Sequence, residues 1–194
     1  MPDADKLSPE EMFALAVAIH RAGDLDSAER RYRQILETDA RHASTLHLLG
    51  VLIQQRGRPA EAVPLIRMAL EQVPDQPVYL SNLGEAYRAG GDFELAAQCC
   101  RRSIELDPRM AEAHNNLGLI LSDQGRAAEA MAELEIAIEL NPYLEQPYDN
   151  LANVLRSQGR MFEAAAFLSE GVRLIPGSTA LQARLTALRR QLGS

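Results

Sequence analysis

Glycine recurs at positions 23, 57, 91, 125 and 159, a constant spacing of 34 residues, and a whole register travels with it. Alanine follows five residues later each time (Ala28, Ala62, Ala96, Ala130, Ala164), and a small residue precedes by seven (Ala16, Gly50, Gly84, Gly118, Ala152). Four of the five units close on proline (Pro74, Pro108, Pro142, Pro176), and Ala40 takes that slot in the first. Self-similarity at this period marks a supersecondary element that cannot bury its apolar face alone and stacks on its own copies. The predicted fold is all-α, a solenoid of helical hairpins rather than a closed globule. Such a stack offers a groove and no evident catalytic cleft.

Residues 111–144 show what one unit contains. Ala113, Leu117, Ile120 and Leu121 fall at helical spacing, and Gly125 breaks the helix as the left-handed residue past its end. Ala127, Ala130, Met131, Leu134, Ala137 and Ile138 line a second helical face, which Asn141-Pro142 stops. Small residues explain how the two helices (A, then B) pair: Gly118 faces Ala130 and Ala137, Gly50 faces Ala62 and Ala69, and Gly84 faces Ala96 and Ser103. The predicted units are 9–42, 43–76, 77–110, 111–144 and 145–178, with a flexible stretch 1–8 before them. After them, 179–194 carries the stripe Leu181, Leu185, Leu188 and Leu192, and reads as a capping helix. The first unit has no matching cover, which leaves a face suited to self-association. Pro64 falls within helix B of the second unit and predicts a slight kink there, whereas Pro59 and Pro147 sit in tolerant first turns.

Composition narrows the function. Net charge is −7 with both signs interspersed, so the basic footprint of a nucleic-acid binder is missing. The sequence has no apolar run of the ~20 residues a membrane span needs, and its first residues do not read as a signal peptide. The expectation is a cytoplasmic protein. Of 20 basic residues all but Lys6 are arginine, a bias that suggests a GC-rich, bacterial genome. Cys99 and Cys100 are adjacent on a predicted helix, cannot face each other, and read as packing residues. Phosphate-loop, nucleophile-elbow and zinc-protease motifs are missing, and charge runs such as Glu29-Arg30-Arg31 read as solvated helix faces. A non-enzymatic chain without cofactor or metal is expected.

The unit resembles the tetratricopeptide repeat, and the resemblance covers residues 9–178. It implies antiparallel helix pairs in a right-handed superhelix whose concave surface, lined by A helices, takes an extended peptide or a partner helix. The aromatic common early in helix A is present only as Tyr148; Met12, Leu46, Leu80 and His114 replace it elsewhere. The stretch from His114 to Pro142 is especially similar to the repeats of O-linked N-acetylglucosamine transferases, which hold acceptor polypeptides with repeated groove asparagines. That likeness raises a second expectation, a substrate-recruiting arm of a glycosyltransferase-like system.

Groove positions follow from the A-helix face turned away from helix B. Phe13, Val17, Leu48 and Val51 form an apolar anchor, with His47 beside them. Asn82, Asn116 and Asn150 occupy one slot in three consecutive units and suggest a ladder; Asn115, Asn153, Glu85, Arg88 and Asp149 flank it. A side-chain amide carries both donor and acceptor, which suits an extended peptide backbone. The competing role for the ladder is structural, with each asparagine bonding to a neighbouring helix. The slots used by carboxylate-gripping members of the family carry neither lysine nor arginine, which argues against that mode. His20 and His47 could face one another, but a metal would need a third ligand.

Overall fold

A computed structural model describes residues 8–193. Among them the chain forms eleven α-helices and no strand. They run in pairs: α1 (Pro9–Arg21) with α2 (Leu25–Thr38), α3 (Ala43–Gln55) with α4 (Pro59–Gln72), α5 (Pro77–Ala89) and then α6 (Phe93–Leu106), α7 (Ala111–Asp123) with α8 (Ala127–Leu140), and α9 (Glu145–Ser157) with α10 (Met161–Leu174); α11 (Thr179–Leu192) follows. Every A helix has 13 residues and every B helix 14. The expected flexible start, 1–8, lies outside the described residues except for Ser8. That residue caps α1: its hydroxyl accepts from the Glu11 N–H at 3.2 Å, and the Glu11 carboxylate accepts from the Ser8 N–H at 2.8 Å.

The recurring glycines end the A helices with φ between 72° and 87°. At Gly125 the turn closes with two bonds, from its own N–H to Ser122 O (2.9 Å) and from Arg126 N–H to Leu121 O (2.8 Å). This pair satisfies two carbonyls that the helix end would otherwise leave orphaned, and it demands the left-handed residue between them. The same outer bond recurs in the other four units, as Asp24 to Ile19, Arg58 to Ile53, Asp92 to Tyr87 and Arg160 to Leu155. Helix α4 runs unbroken through Pro64.

Contacts divide the chain into two compact units, Met1–Asp92 and Phe93–Ser194. In the first, α1 packs on α2, α2 on α3, α3 on α4, and α5 on both α3 and α4. A β-carbon on Gly50 would fall 2.5 Å from Ile66 Cγ1 and 3.2 Å from the Ala62 carbonyl, so α3 and α4 approach as far as backbone allows. In the second unit α6 packs on α7, and each later helix packs on the one before it, with α11 against α9 and α10. Gly118 meets Leu134 Cγ at 2.6 Å and the Ala130 carbonyl at 3.2 Å by the same measure. Gly171 makes room for Tyr148, whose ring is fully buried and whose hydroxyl donates to Pro142 O at 3.1 Å. Leu181, Leu185 and Leu188 of α11 are buried as the stripe predicts.

One expectation fails. Glu29 is only 4% exposed, not a solvated residue in a charge run. The equivalent positions in the other repeats are Val63, Ala97, Met131 and Ala165. A carboxylate can occupy such a site only with counter-charge and hydrogen bonds. Arg33 supplies them at 2.5 Å, Arg56 donates directly, and Arg58 stands at 3.6 Å, while Arg56 also holds Asp26.

The two kinds of glycine predict different sensitivities. Gly118→Val drives a side chain into Leu134 and is expected to cost roughly 1–3 kcal/mol. Gly125→Ala meets no atom within 4 Å, so its cost is backbone strain alone, about 1–2 kcal/mol. Thermal melts of each variant, alone and combined with Leu134→Ala, test the distinction. The Leu134 truncation is expected to relieve Gly118→Val and to leave the cost of Gly125→Ala unchanged.

Candidate functional site

In the first unit the apolar anchor is only partly assembled as predicted. Val17 and Leu48 line a pocket of about 420 Å³ together with His20, Arg21, Gly23, Leu25, Tyr32 and Gln55. Phe13 stands edge-on to His42, the residue that caps α3, with ring centroids 5.2 Å apart. Val51 is half-buried outside the pocket. The pocket's polar rim is ordered by His20: its Nε2 donates to Gln55 Oε1 (3.0 Å), which leaves Nδ1 to accept from the Tyr32 hydroxyl (3.2 Å). Both ring nitrogens are thereby engaged, so a His20–His47 pair does not form. Burial pushes the Tyr32 hydroxyl up to about 12, and it remains a proton donor.

His47 lies below the surface, at 5% exposure, stacked on Tyr79 at 3.9 Å between centroids. Asn82 Nδ2 donates to its Nε2 at 2.8 Å, so that nitrogen is an unprotonated acceptor. Burial holds the His47 pKa down at about 4, which agrees with a neutral ring. Glu85 accepts from Gln54 Nε2 at 3.1 Å, and Arg88 is half-buried in the last turn of α5. Tyr79 also reaches the Ser44 hydroxyl, at 3.3 Å. Periodicity gives no signal for it, because its counterparts Glu11, Thr45, Ala113 and Pro147 share no chemistry.

The second unit repeats the contact in amide form. Asn150 Nδ2 donates to Asn115 Oδ1 at 2.8 Å, and Asn115 is buried at 7% exposure. Asn82 to His47 and Asn150 to Asn115 are the same pair of repeat positions, each asparagine reaching back 35 residues to the preceding A helix. Asn116 is half-buried and lies 3.4 Å from Asn115 Nδ2 through its Oδ1. Asn153 is exposed; it reaches Asp149 Oδ2 and Arg156 Nη1 only at 3.5 Å. Asp149 is half-buried and pairs with Arg184 of α11.

Elsewhere in this unit, His114 Nδ1 meets Glu133 Oε2 at 2.7 Å and Nε2 meets Pro108 O at 3.3 Å, so both nitrogens carry protons. The Glu133 carboxylate raises the His114 pKa against the opposing effect of burial. Cys100 is fully buried, and burial pushes the Cys99 thiol up to about 11, leaving it a poor nucleophile. Among the described residues, His, Cys, Asp and Glu form no cluster suited to a metal, and no helix is long and apolar enough to cross a membrane.

Three family models described as tetratricopeptide repeat match residues 12–34, 41–109 and 81–145. A curated relative, the Protein O-mannosyl-transferase Tmtc3 of Drosophila melanogaster, is 27% identical over 132 residues, 68% of this chain and 14% of that protein. The Photosystem I assembly protein Ycf3 of Acaryochloris marina is 33% identical over 107 residues, 53% of this chain and 64% of that one. The chain thus spans less than two thirds of either relative. Among solved structures, TTC0263, a thermophilic TPR protein of Thermus thermophilus, aligns with a TM-score of 0.83 at 22% identity, covering 93% of this chain and 98% of that one. YrrB, described as a TPR protein with an unusual peptide-binding site, aligns at 0.63 and 19% identity, covering 93% and 92%. These likenesses establish the fold as a tetratricopeptide solenoid.

The two buried histidines predict opposite pH dependences. His47 is depressed from 6.5 to about 4, so the unfolded chain binds its proton first. Its contribution to stability is complete above 6.5 and is lost as pH falls toward 4. His114 is raised, so its contribution is complete below 6.5 and is lost as pH climbs through the elevated value. The difference in melting temperature between wild type and His47→Gln is expected to shrink on acidification, and that for His114→Gln to shrink on alkalinisation.

Proposed function

Because the chain belongs to the tetratricopeptide-repeat family, whose fold suggests a protein-interaction module, we propose that its A-helix faces bind an extended polypeptide and that it carries no catalytic activity of its own. The observation that carries this reading is the 420 Å³ pocket of the first unit. Val17, Leu25 and Leu48 supply apolar wall, while Arg21 and Gln55 supply a polar rim. That combination of apolar lining and few oriented polar groups suits one anchoring side chain of a bound segment. Asn82, Asn116 and Asn150 are the candidates for the backbone clamp. In Asn82 and Asn150 the bond to the preceding helix uses only part of the amide's capacity, which is two donors and two acceptor lone pairs.

Two narrower readings have their own support. The similarity to the mannosyl-transferase Tmtc3 favours a substrate-recruiting arm of a glycosyltransferase-like system, and detection of a transferase domain in the native gene product or a co-purifying subunit tests it. Leu15 of α1 is 38% exposed, whereas its counterparts Leu49, Leu83, Leu117 and Leu151 are at most 5% exposed. This favours self-association through α1, which light scattering over a range of concentrations tests; a strict monomer counts against it.

Panning a random peptide library on the immobilised chain tests the main reading. Enriched peptides are expected to share an apolar residue and to bind Leu48→Ser at least about tenfold more weakly, since losing a buried leucine contact costs roughly 1.5–3 kcal/mol. Failure to enrich any sequence, or equal binding by the folded variant, refutes the anchor.

A further inference from the structure

Glu29 has more counter-charge around it than one buried carboxylate needs. Arg33, Arg56 and Arg58 all approach it, and with Arg30 and Asp26 they line an open cleft of about 510 Å³ between α2 and the turn from α3 to α4. The cleft lies wholly within the first compact unit. Its guanidinium groups are within reach of solvent: the side chains of Arg33, Arg56 and Arg58 are 54%, 31% and 38% exposed, and Arg30 is exposed as well. They also have donors to spare. Each guanidinium carries five N–H donors. Arg30 commits Nη2 to the Ser27 hydroxyl at 2.9 Å, and Arg33 commits Nη2 to Glu29 at 2.5 Å. The Nε and Nη1 groups of both arginines have no acceptor among the described residues. Two carboxylates stand outside the lining and are engaged there, Glu61 by Arg58 Nε at 2.7 Å and Asp24 by the Ser27 N–H at 3.0 Å.

Stacking does not require this cluster. Glu29 corresponds to Val63, Ala97, Met131 and Ala165, Arg30 to Pro64, Gln98, Ala132 and Ala166, and Arg56 to Ala22, Gly90, Gln124 and Gln158. The other hairpins therefore pack with apolar or neutral residues at these positions. Burying a carboxylate is costly, and what Glu29 supplies in return is order. Arg33, Arg56 and Arg58 are held in place by it before any ligand arrives, which lowers the entropy lost on binding.

The arrangement selects among anions. Arg30 and Arg33 come from adjacent turns of one face of α2, whereas Arg56 and Arg58 come from the ends of α3 and α4. An anion between them must accept from more than one direction. A carboxylate offers two oxygens in one plane and a single charge. A phosphate monoester offers three terminal oxygens and nearly two charges, and arginine is suited to it. The chain's net charge of −7 repels an extended polyanion, so a single phosphoryl group fits better than a nucleic acid. Asp26 is 67% exposed and holds Arg56 only through a surface ion pair, a contact weak enough for a phosphoryl oxygen to displace.

We infer that this cleft is a binding site for a phosphate monoester, with Arg30 and Arg33 donating to its oxygens and Arg56 exchanging Asp26 for it. Glu29 is the positioning residue. The site lies apart from the A-helix pocket and does not depend on the polypeptide-binding reading.

The test titrates the full 15N-labelled chain at low ionic strength and follows the Nε–Hε resonances of Arg30 and Arg33. The probes are N-acetylphosphoserine methylamide, inorganic phosphate and N-acetylglutamate methylamide. Both phosphates are expected to shift the resonances saturably in the millimolar range, and the glutamate compound to do little. Tighter binding of the phosphoserine compound assigns the phosphoryl group to a modified polypeptide, and equal or tighter binding of inorganic phosphate assigns it to a free small molecule. Arg30→Gln, which lies outside the Glu29 contacts and should leave the melting temperature unchanged, is expected to weaken binding about fivefold or more. Asp26→Asn removes the competing carboxylate and is expected to tighten it. Unsaturable phosphate titrations, an equal response to the glutamate compound, or Arg30→Gln binding as wild type does would each overturn the site and leave the arginines as partners of Glu29 alone.

Discussion

Everything in this chain depends on how closely an A helix approaches the B helix that follows it. At Gly50 and Gly118 the space for a β-carbon is already filled, by Ile66 and Leu134 respectively. Approach at that distance turns two short helices, each of marginal stability alone, into a unit with one continuous apolar face. It also makes the left-handed turn at Gly57 or Gly125 obligatory, because the chain must reverse within two or three residues for the faces to meet. Stacking then completes the burial: Leu49, Leu117 and Leu151 are nearly inaccessible where a neighbouring helix lies against them, and Leu15 is not.

Helices and their glycine turns were legible in the sequence because each is fixed by residues close in the chain. The positive φ of five glycines, the prolines just past the B helices and the stripe of α11 all follow from local rules that five copies amplify. What escaped is what two copies make together. Glu29 looks solvated when α2 is read alone, and its burial becomes comprehensible only with Arg56 and Arg58 contributed by the next repeat. His47 and Asn115 occupy groove positions by periodicity, yet Tyr79, Asn82 and Asn150 close over them from 35 or fewer residues further on. A one-repeat template gives a position its face but not its neighbour.

The same logic explains which parts of the surface vary. Positions that set helix approach stay small in every copy, whereas positions that face the next copy range from leucine to histidine, asparagine and a buried carboxylate. A hydrogen-bonded pair such as Asn82 with His47 is satisfied by one register only, and a misplaced stack would strand both polar groups. Apolar contacts tolerate more misalignment. Polar pairs between successive A helices thereby act on register more than on net stability, in keeping with the modest net worth of a single hydrogen bond, about 0.5–1.5 kcal/mol.

On the proposed function, register and recognition would be served by the same amides. An asparagine tied back to the preceding helix is held in one rotamer, and its remaining donor and acceptor capacity points where that rotamer dictates. A ligand that used it would not bear the entropy of immobilising the side chain, roughly 0.5–1.5 kcal/mol for a flexible residue. The structural and ligand-binding roles weighed for Asn82 and Asn150 are therefore not exclusive; the first is a precondition that strengthens the second.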